Sequence, residues 1–216
     1  MENYIFILEI LGIIAFAVTG AIEGIRSGMD LLGVIILGII TALGGGLIRD
    51  VFLGIRPAYS FQKPVYIYVA ISTAVIVFGF SYYRQNVKGK KIAKIFEELL
   101  LFFDSMGLSL FTILGINMAL SLSKDYTSAF YIFIGVITGV GGGVVRDLLT
   151  MKMPYILVRN IYASASIIGA TIYLYLIKSF MDPGIAMILA MFVIFTIRTL
   201  AAKRGWNLPK VERNVL

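Results

Sequence analysis

The sequence predicts an all-α integral membrane protein with seven transmembrane helices, arranged as two inverted three-helix repeats followed by a seventh helix. Three observations lead there. The 216 residues are 59% hydrophobic and only 14% charged, with a mean hydropathy of +0.93, whereas a soluble domain carries about 25% charged residues. Apolar stretches long enough to cross the ~30 Å hydrocarbon core, which takes about 20 residues, recur along the whole chain. The motif GGGLIRD at 44–50 returns as GGGVVRD at 141–147.

The first span, 4–24, carries Glu9 inside it and lacks a basic leader or a clear small-residue cleavage site, so it reads as a membrane helix and not a signal peptide. The second, 31–52, holds the first glycine run. A short loop with Pro57 precedes the third, 64–83, which ends at the basic linker RQNVKGKKIAK. The fourth, 97–121, carries Asp104 early, as the first carries Glu9. The fifth, 128–149, holds the second glycine run, and Pro154 precedes the sixth, 156–178. The seventh, 183–201, has no partner and leads into a basic tail, 202–216. Repeat one is 4–83, the linker 84–96 and repeat two 97–178, within one transmembrane domain over 1–216.

The repeat is explicit. A shift of 97 aligns GIITALGGGLIRD (38–50) with GVITGVGGGVVRD (135–147), treating Ile, Leu and Val as equivalent. A shift of 95 carries Glu9, Gly12, Phe16 and Gly20 onto Asp104, Gly107, Phe111 and Gly115. Three spans per unit is an odd number, so the second copy enters the membrane from the opposite side, which gives an inverted-topology repeat.

Of the 19 Lys and Arg residues, 14 fall on the side of Arg26, the linker (Arg84, Lys88, Lys90, Lys91, Lys94), Arg146, Lys152, Arg159 and the tail (Arg198, Lys203, Arg204, Lys210, Arg213). The other side has Arg49, Arg56, Lys63, Lys124 and Lys178. The positive-inside rule therefore places the C-terminus in the cytoplasm and the N-terminus outside, in a cell membrane. The linker lysines also suit anionic lipid. No stacking aromatics alternate with them, which argues against nucleic acid. There is no Cys and no His, so thiol chemistry and imidazole metal sites are excluded. No enzyme signature is present and no cofactor is implied.

Three consecutive glycines weaken a helix by roughly 1 kcal/mol each relative to Ala, and irregular backbone at membrane depth is tolerated only in protein or beside a wet cavity. Gly44, Gly45, Gly46, Gly141, Gly142 and Gly143 are thus expected to bend spans two and five around a path, with close packing through small residues as the plainer alternative. Arg49 and Arg146 follow three residues on. Their neighbours Asp50 and Asp147 point about 100° away on a helix, so each arginine is expected to reach an acid or carbonyl of the other repeat. Glu9 and Asp104 form a second symmetric pair, with the opposite repeat's arginine as a candidate partner. Thr19, Thr41, Ser109, Thr112 and Thr138 offer hydroxyls to a path, although such groups often bond back to their own helix. Glu23 and Asp30 are expected in loops, and Asn117 has no clear assignment.

The twin GGGxxRD motifs, with LEILGIIAFAVTG (8–20), RSGMDLLGV (26–34), MPYILVRNIYASASIIG (153–169) and IRTLAAKRGWNLP (197–209), resemble the prokaryotic branch of the trimeric intracellular cation (TRIC) channel family over nearly the whole chain. The resemblance implies a homotrimer with a pore in each subunit for potassium and sodium, bounded by kinked second and fifth helices. It carries a pore or gating role onto Gly44–Gly46, Arg49, Asp50, Gly141–Gly143, Arg146 and Asp147. Glu9 stands where the family usually has Asp, and Asn160 where relatives often have Glu. The lysine-based motif of the animal branch is absent, so phosphoinositide binding is not carried over. A secondary transporter of a small polar solute such as an amino acid, and a non-conducting scaffold, are the competing readings.

Overall fold

The computed structural model describes residues 2–83, 90–122, 125–158 and 161–206. Arg84, Lys88, Lys124, Arg159, Asn160, Lys210 and Arg213, together with the side chains of Lys90, Lys91 and Lys94, lie outside the described residues. The regular elements described are all helices: α1 (Glu2–Arg26), α2 (Leu31–Leu53), α3 (Tyr59–Gln62), α4 (Val65–Tyr83), α5 (Lys90–Ser121), α6 (Ser128–Leu149), α7 (Tyr155–Val158), α8 (Ala163–Lys178) and α9 (Pro183–Arg204). Six are long and apolar enough to cross a membrane, and α8 is a shorter apolar helix.

The sixth span differs from the continuous 156–178 helix that the sequence predicts. It divides into the one-turn α7 and the 16-residue α8, and 16 residues rise only ~24 Å. The third span has the same layout, with α3 ahead of α4. In both repeats a proline precedes the short turn, Pro57 or Pro154, and prevents the preceding helix from running on.

Polar residues fix the helix ends. The Asp30 carboxylate accepts from the Gly33 N–H at 2.8 Å at the start of α2, satisfying one of the four donors a helix start leaves open. Gly54 closes α2 in the left-handed conformation, φ 73°, which glycine adopts without steric penalty. Asp182 caps α9 through Gly184 and Ile185, with Pro183 in the first turn.

The centre is built by α1, α2, α5 and α6. Phe16 of α1 and Phe111 of α5 stack with centroids 5.4 Å apart. Each ring lies where the other repeat has a glycine: Phe111 over Gly12, and Phe16 over Gly107, where an added Cβ would strike the ring. The four residues are related by the 95-residue shift, so the pseudo-two-fold axis passes through this stack. On the outside, α4 leaves Tyr68, Ile76 and Phe80 exposed, and α9 leaves Ile188 and Phe192 exposed, as lipid-facing surfaces require.

Glu23 departs from its expected loop position. α1 continues to Arg26, so Glu23 lies inside the helix with only 2% of its surface exposed. It pairs with Arg26 at 3.5 Å and with Lys152, beyond α6 in the second repeat. The same shifts of 95 and 97 bring Glu23 onto Met118 and Lys152 onto Ile55. Those two residues instead pack in an apolar cluster with Leu53, Ala119 and Ile134.

Candidate functional site

Both glycine runs lie within continuous helices, α2 and α6, and the runs form a close crossing. A Cβ on Gly45 would collide with the Thr138 carbonyl, and one on Gly142 with the Thr41 carbonyl. Gly44 faces the Gly142 Cα, and Gly141 faces the Gly45 Cα. The absence of side chains lets the two backbones touch, as in small-residue contacts between membrane helices. The third glycine of each run does something else. Gly46 faces Arg49 Nη2 and Ser60 Oγ at 3.8 and 3.9 Å from its Cβ position, and Gly143 faces the Tyr162 hydroxyl and Arg146 Nη2 at 3.3 and 3.7 Å. These glycines leave room for the guanidinium groups.

Each arginine pairs with the aspartate beside it, not with the other repeat. Arg49 Nε and Nη2 donate to Asp50 Oδ1 at 2.8 and 2.7 Å. Arg146 Nε and Nη2 approach Asp147 Oδ1 at 2.9 Å each. The expectation from helix geometry fails because the arginine side chain is long enough to curl back around the helix. The second carboxylate oxygen is also held in place: Asp50 Oδ2 accepts from the Tyr59 N–H at 2.7 Å, and Asp147 Oδ2 from the Tyr155 N–H at 3.0 Å. Each RD pair thereby ties its own span to the one-turn helix that follows, using charge-assisted hydrogen bonds.

The second symmetric pair also stays within its own repeat. Asp104 Oδ1 accepts from Arg146 Nη1 at 3.0 Å, so Arg146 holds two carboxylates while 1% exposed. Glu9 accepts from the Tyr66 hydroxyl. The predicted hydroxyls bond back to their own helices: Thr19 to Phe16, Thr41 to Leu37, Ser109 to Met106, Thr112 to Leu108 and Thr138 to Ile134, at 2.6–2.9 Å. Thr112 also meets Ser166 at 2.7 Å. Asn117 links α5 to Tyr173 and Met187.

Two cavities of about 300 and 310 Å³ open on opposite sides of the crossing. The first is lined by Phe6, Glu9, Tyr59, Lys63 and Asn117 among others, and a smaller adjoining space reaches Gly46, Arg49 and Phe111. The second is lined by Arg26, Glu97, Asp104, Tyr155 and Arg198, and a narrow space beyond it reaches Gly143, Arg146 and Tyr162. The Phe16–Phe111 stack and the Gly44–Gly45/Gly141–Gly142 crossing lie between these two sets of residues.

Sequence reasoning missed several of these groups. Arg198 counts there only as a topology charge, yet it is 3% exposed, lies 4.9 Å over the Tyr162 ring and sits 3.8 Å from Asp104 Oδ2. Its Nε and Nη1, and Asp104 Oδ2, are buried without hydrogen-bond partners. Tyr59 and Tyr155 were legible only as residues just beyond a proline that follows an RD pair.

The family model described as Glycine transporter matches residues 6–82 and 101–178. The chain is 37% identical over 165 residues to a UPF0126 membrane protein of Deinococcus radiodurans, spanning 76% of this chain and 72% of that one. It is 33% identical over 206 residues to the UPF0126 inner membrane protein YadS of Escherichia coli K12, spanning 95% of each. Among solved structures it is similar to a TRIC cation channel studied for conductance, with 36% identity and a TM-score of 0.80 over 95% of this chain and 96% of that one. It is also similar to the TRIC orthologue from Rhodobacter sphaeroides, with 31% identity and a TM-score of 0.82 over 94% and 99%. A prokaryotic TRIC channel in 0.5 M KCl matches with 30% identity and a TM-score of 0.84 over 96% and 100%.

Proposed function

Because the chain belongs to the family described as Glycine transporter, which includes the UPF0126 membrane proteins and corresponds to the TRIC channels, we propose that it is a monovalent cation channel passing potassium and sodium. The path runs inside each subunit from one cavity to the other, between α2 and α6. The observation that carries this reading is the pair of cavities on the two sides of the crossing, each with a carboxylate in its lining, Glu9 or Asp104, and each leading to a buried arginine beside a glycine, Arg49 with Gly46 and Arg146 with Gly143. An unpaired arginine would repel a cation. Here Asp50 neutralises Arg49, and Asp104 and Asp147 face Arg146, so the arginines position carboxylates and do not present bare charge. The Phe16–Phe111 stack and the glycine crossing form a closed septum that must separate for conduction.

The subunit works as one transmembrane domain in a homotrimer, with the N-terminus outside, the C-terminus cytoplasmic and the basic linker and tail against anionic lipid. Purified protein in planar bilayers under asymmetric potassium chloride tests the channel reading. Unitary steps reversing near the potassium Nernst potential are expected, and currents unchanged in both Arg49→Ala and Arg146→Ala would overturn the assigned path.

The family description favours a second reading, a secondary transporter of a small zwitterion such as glycine. Inverted repeats around a closed septum suit alternating access. Saturable counterflow in liposomes without unitary current would establish it over the channel.

A further inference from the structure

The cavity on the Glu9 side contains a feature the conduction path does not need. Lys63 Nζ stands 4.6 Å from the centroid of the Tyr59 ring and 5.9 Å from those of Phe6 and Tyr66. All three lie within the ~6 Å over which a ring face attracts a cation. The rings also contact one another: Tyr66 is 6.1 Å from Phe6 and 6.0 Å from Tyr59. Three elements supply them, α1, α3 and α4, so the cage is a product of the tertiary fold. The Tyr66 hydroxyl donates to the Glu9 carboxyl, which lines the same cavity. Three aromatic faces beside a carboxyl group form the chemistry that recognises an organic ammonium ion.

We propose that Phe6, Tyr59, Tyr66 and Glu9 form a binding site for small quaternary or alkylated ammonium ions, and that Lys63 occupies it as a tethered ligand. The adjoining cavity of about 300 Å³, which reaches Asn117 and Met118, gives the displaced lysine or an added ion somewhere to go. On the opposite side, among the described residues, the cations over rings are arginines, Arg198 at Tyr162 and Arg146 at Tyr155, and Arg198 Nε and Nη1 are sealed in. The site is therefore one-sided, confined to the face that bears Glu9, and it does not depend on whether the protein conducts.

Removing the tether should expose the site. Isothermal calorimetry on the purified full-length protein in detergent, with tetramethylammonium chloride titrated against a sodium chloride control, reads binding without any current. Lys63→Gln, and Lys63→Met as a second neutral variant should the first fold poorly, are expected to bind tetramethylammonium at least about tenfold more tightly than the wild type. Adding Tyr59→Leu to either is expected to reverse that gain by about tenfold, whereas adding Tyr68→Leu, on the outward face of α4, leaves it in place. Equal affinity in wild type and both Lys63 variants overturns the proposal, as does a gain that survives Tyr59→Leu. Tightening accompanied by silent bilayers would sustain the site and count against the channel reading alone.

Discussion

Gly45→Ala and Gly46→Ala are neighbouring changes of one methyl group with opposite expected signs. An alanine at position 45 aims its Cβ at the Thr138 carbonyl oxygen, with the carbonyl carbon at 3.1 Å and Gly142 N at 3.3 Å. All three obstacles are backbone atoms of α6, so no rotamer change can clear them and the two helices must separate. Overpacking a tight site costs about 1–3 kcal/mol, while replacing a helical glycine by alanine returns about 1 kcal/mol. The unyielding obstacle favours the upper part of that range, leaving a net loss of about 1–2 kcal/mol. At position 46 the nearest atoms are Arg49 Nη2 and Ser60 Oγ, at 3.8 and 3.9 Å, which is ordinary contact. There the helix gain stands alone, at most about 1 kcal/mol. Thermal unfolding of purified variants in detergent separates the two. At roughly 2–4 °C per kcal/mol, Gly45→Ala should melt roughly 2–8 °C below the wild type and Gly46→Ala at or slightly above it. A Gly45→Ala protein as stable as the wild type, or a Gly46→Ala protein more damaged than Gly45→Ala, would refute the crossing.

The remaining predictions concern the charged groups and the septum. Arg146→Ala strands Asp147 and leaves Asp104 with only the more distant Arg198, and should cost about 3–5 kcal/mol; Arg49→Ala strands only Asp50 and should cost less, and equal melting losses would contradict that ranking. Asp50→Asn keeps the shape but weakens the bond to the Tyr59 N–H, so a loss of about 1–2 kcal/mol is expected, with Asp147→Asn similar; a double-mutant cycle with the paired arginine measures the coupling. Phe111→Ala removes half of the ring stack and should raise open probability in bilayer recordings if the stack is part of the gate, whereas unchanged gating would move the gate elsewhere. Lys152→Met should cost about 1 kcal/mol at low salt and reduce the salt dependence of melting, leaving the share that the Arg26–Glu23 pair confers.

Much of this arrangement could be read before any coordinates. The shifts of 97 and 95 gave the inverted repeat, and they correctly paired Phe16 with Phe111 and Gly12 with Gly107. The glycine runs do meet, and each Arg–Asp pair lies beside its own run, on opposite sides of the crossing. What the sequence concealed was the partner of each charge. A period argument treats side chains as spokes, so it excluded Arg49–Asp50, although an arginine has enough methylenes to fold back over its own helix. Tyr59 and Tyr155 lie eight or nine residues from the aspartates they bind, across a proline turn with no regular period. Lys63 and Arg198 counted only as charges on one side or the other, because burial by a distant helix leaves no local mark on their neighbours. The division of the sixth span into α7 and α8 was foreshadowed only by the parallel with Pro57.

The Glu23–Lys152 pair and its apolar counterpart, Ile55 and Met118, make two nearly equal halves answer to different variables. An ion pair with one exposed partner loosens as the bathing salt rises, whereas an oily contact loosens as the temperature falls. Salt would therefore free the end of the molecule where α1 finishes, and cold would free the opposite end. The two ends of a duplicated scaffold thus differ in kind at two pairs of matched positions, Glu23 against Met118 and Lys152 against Ile55.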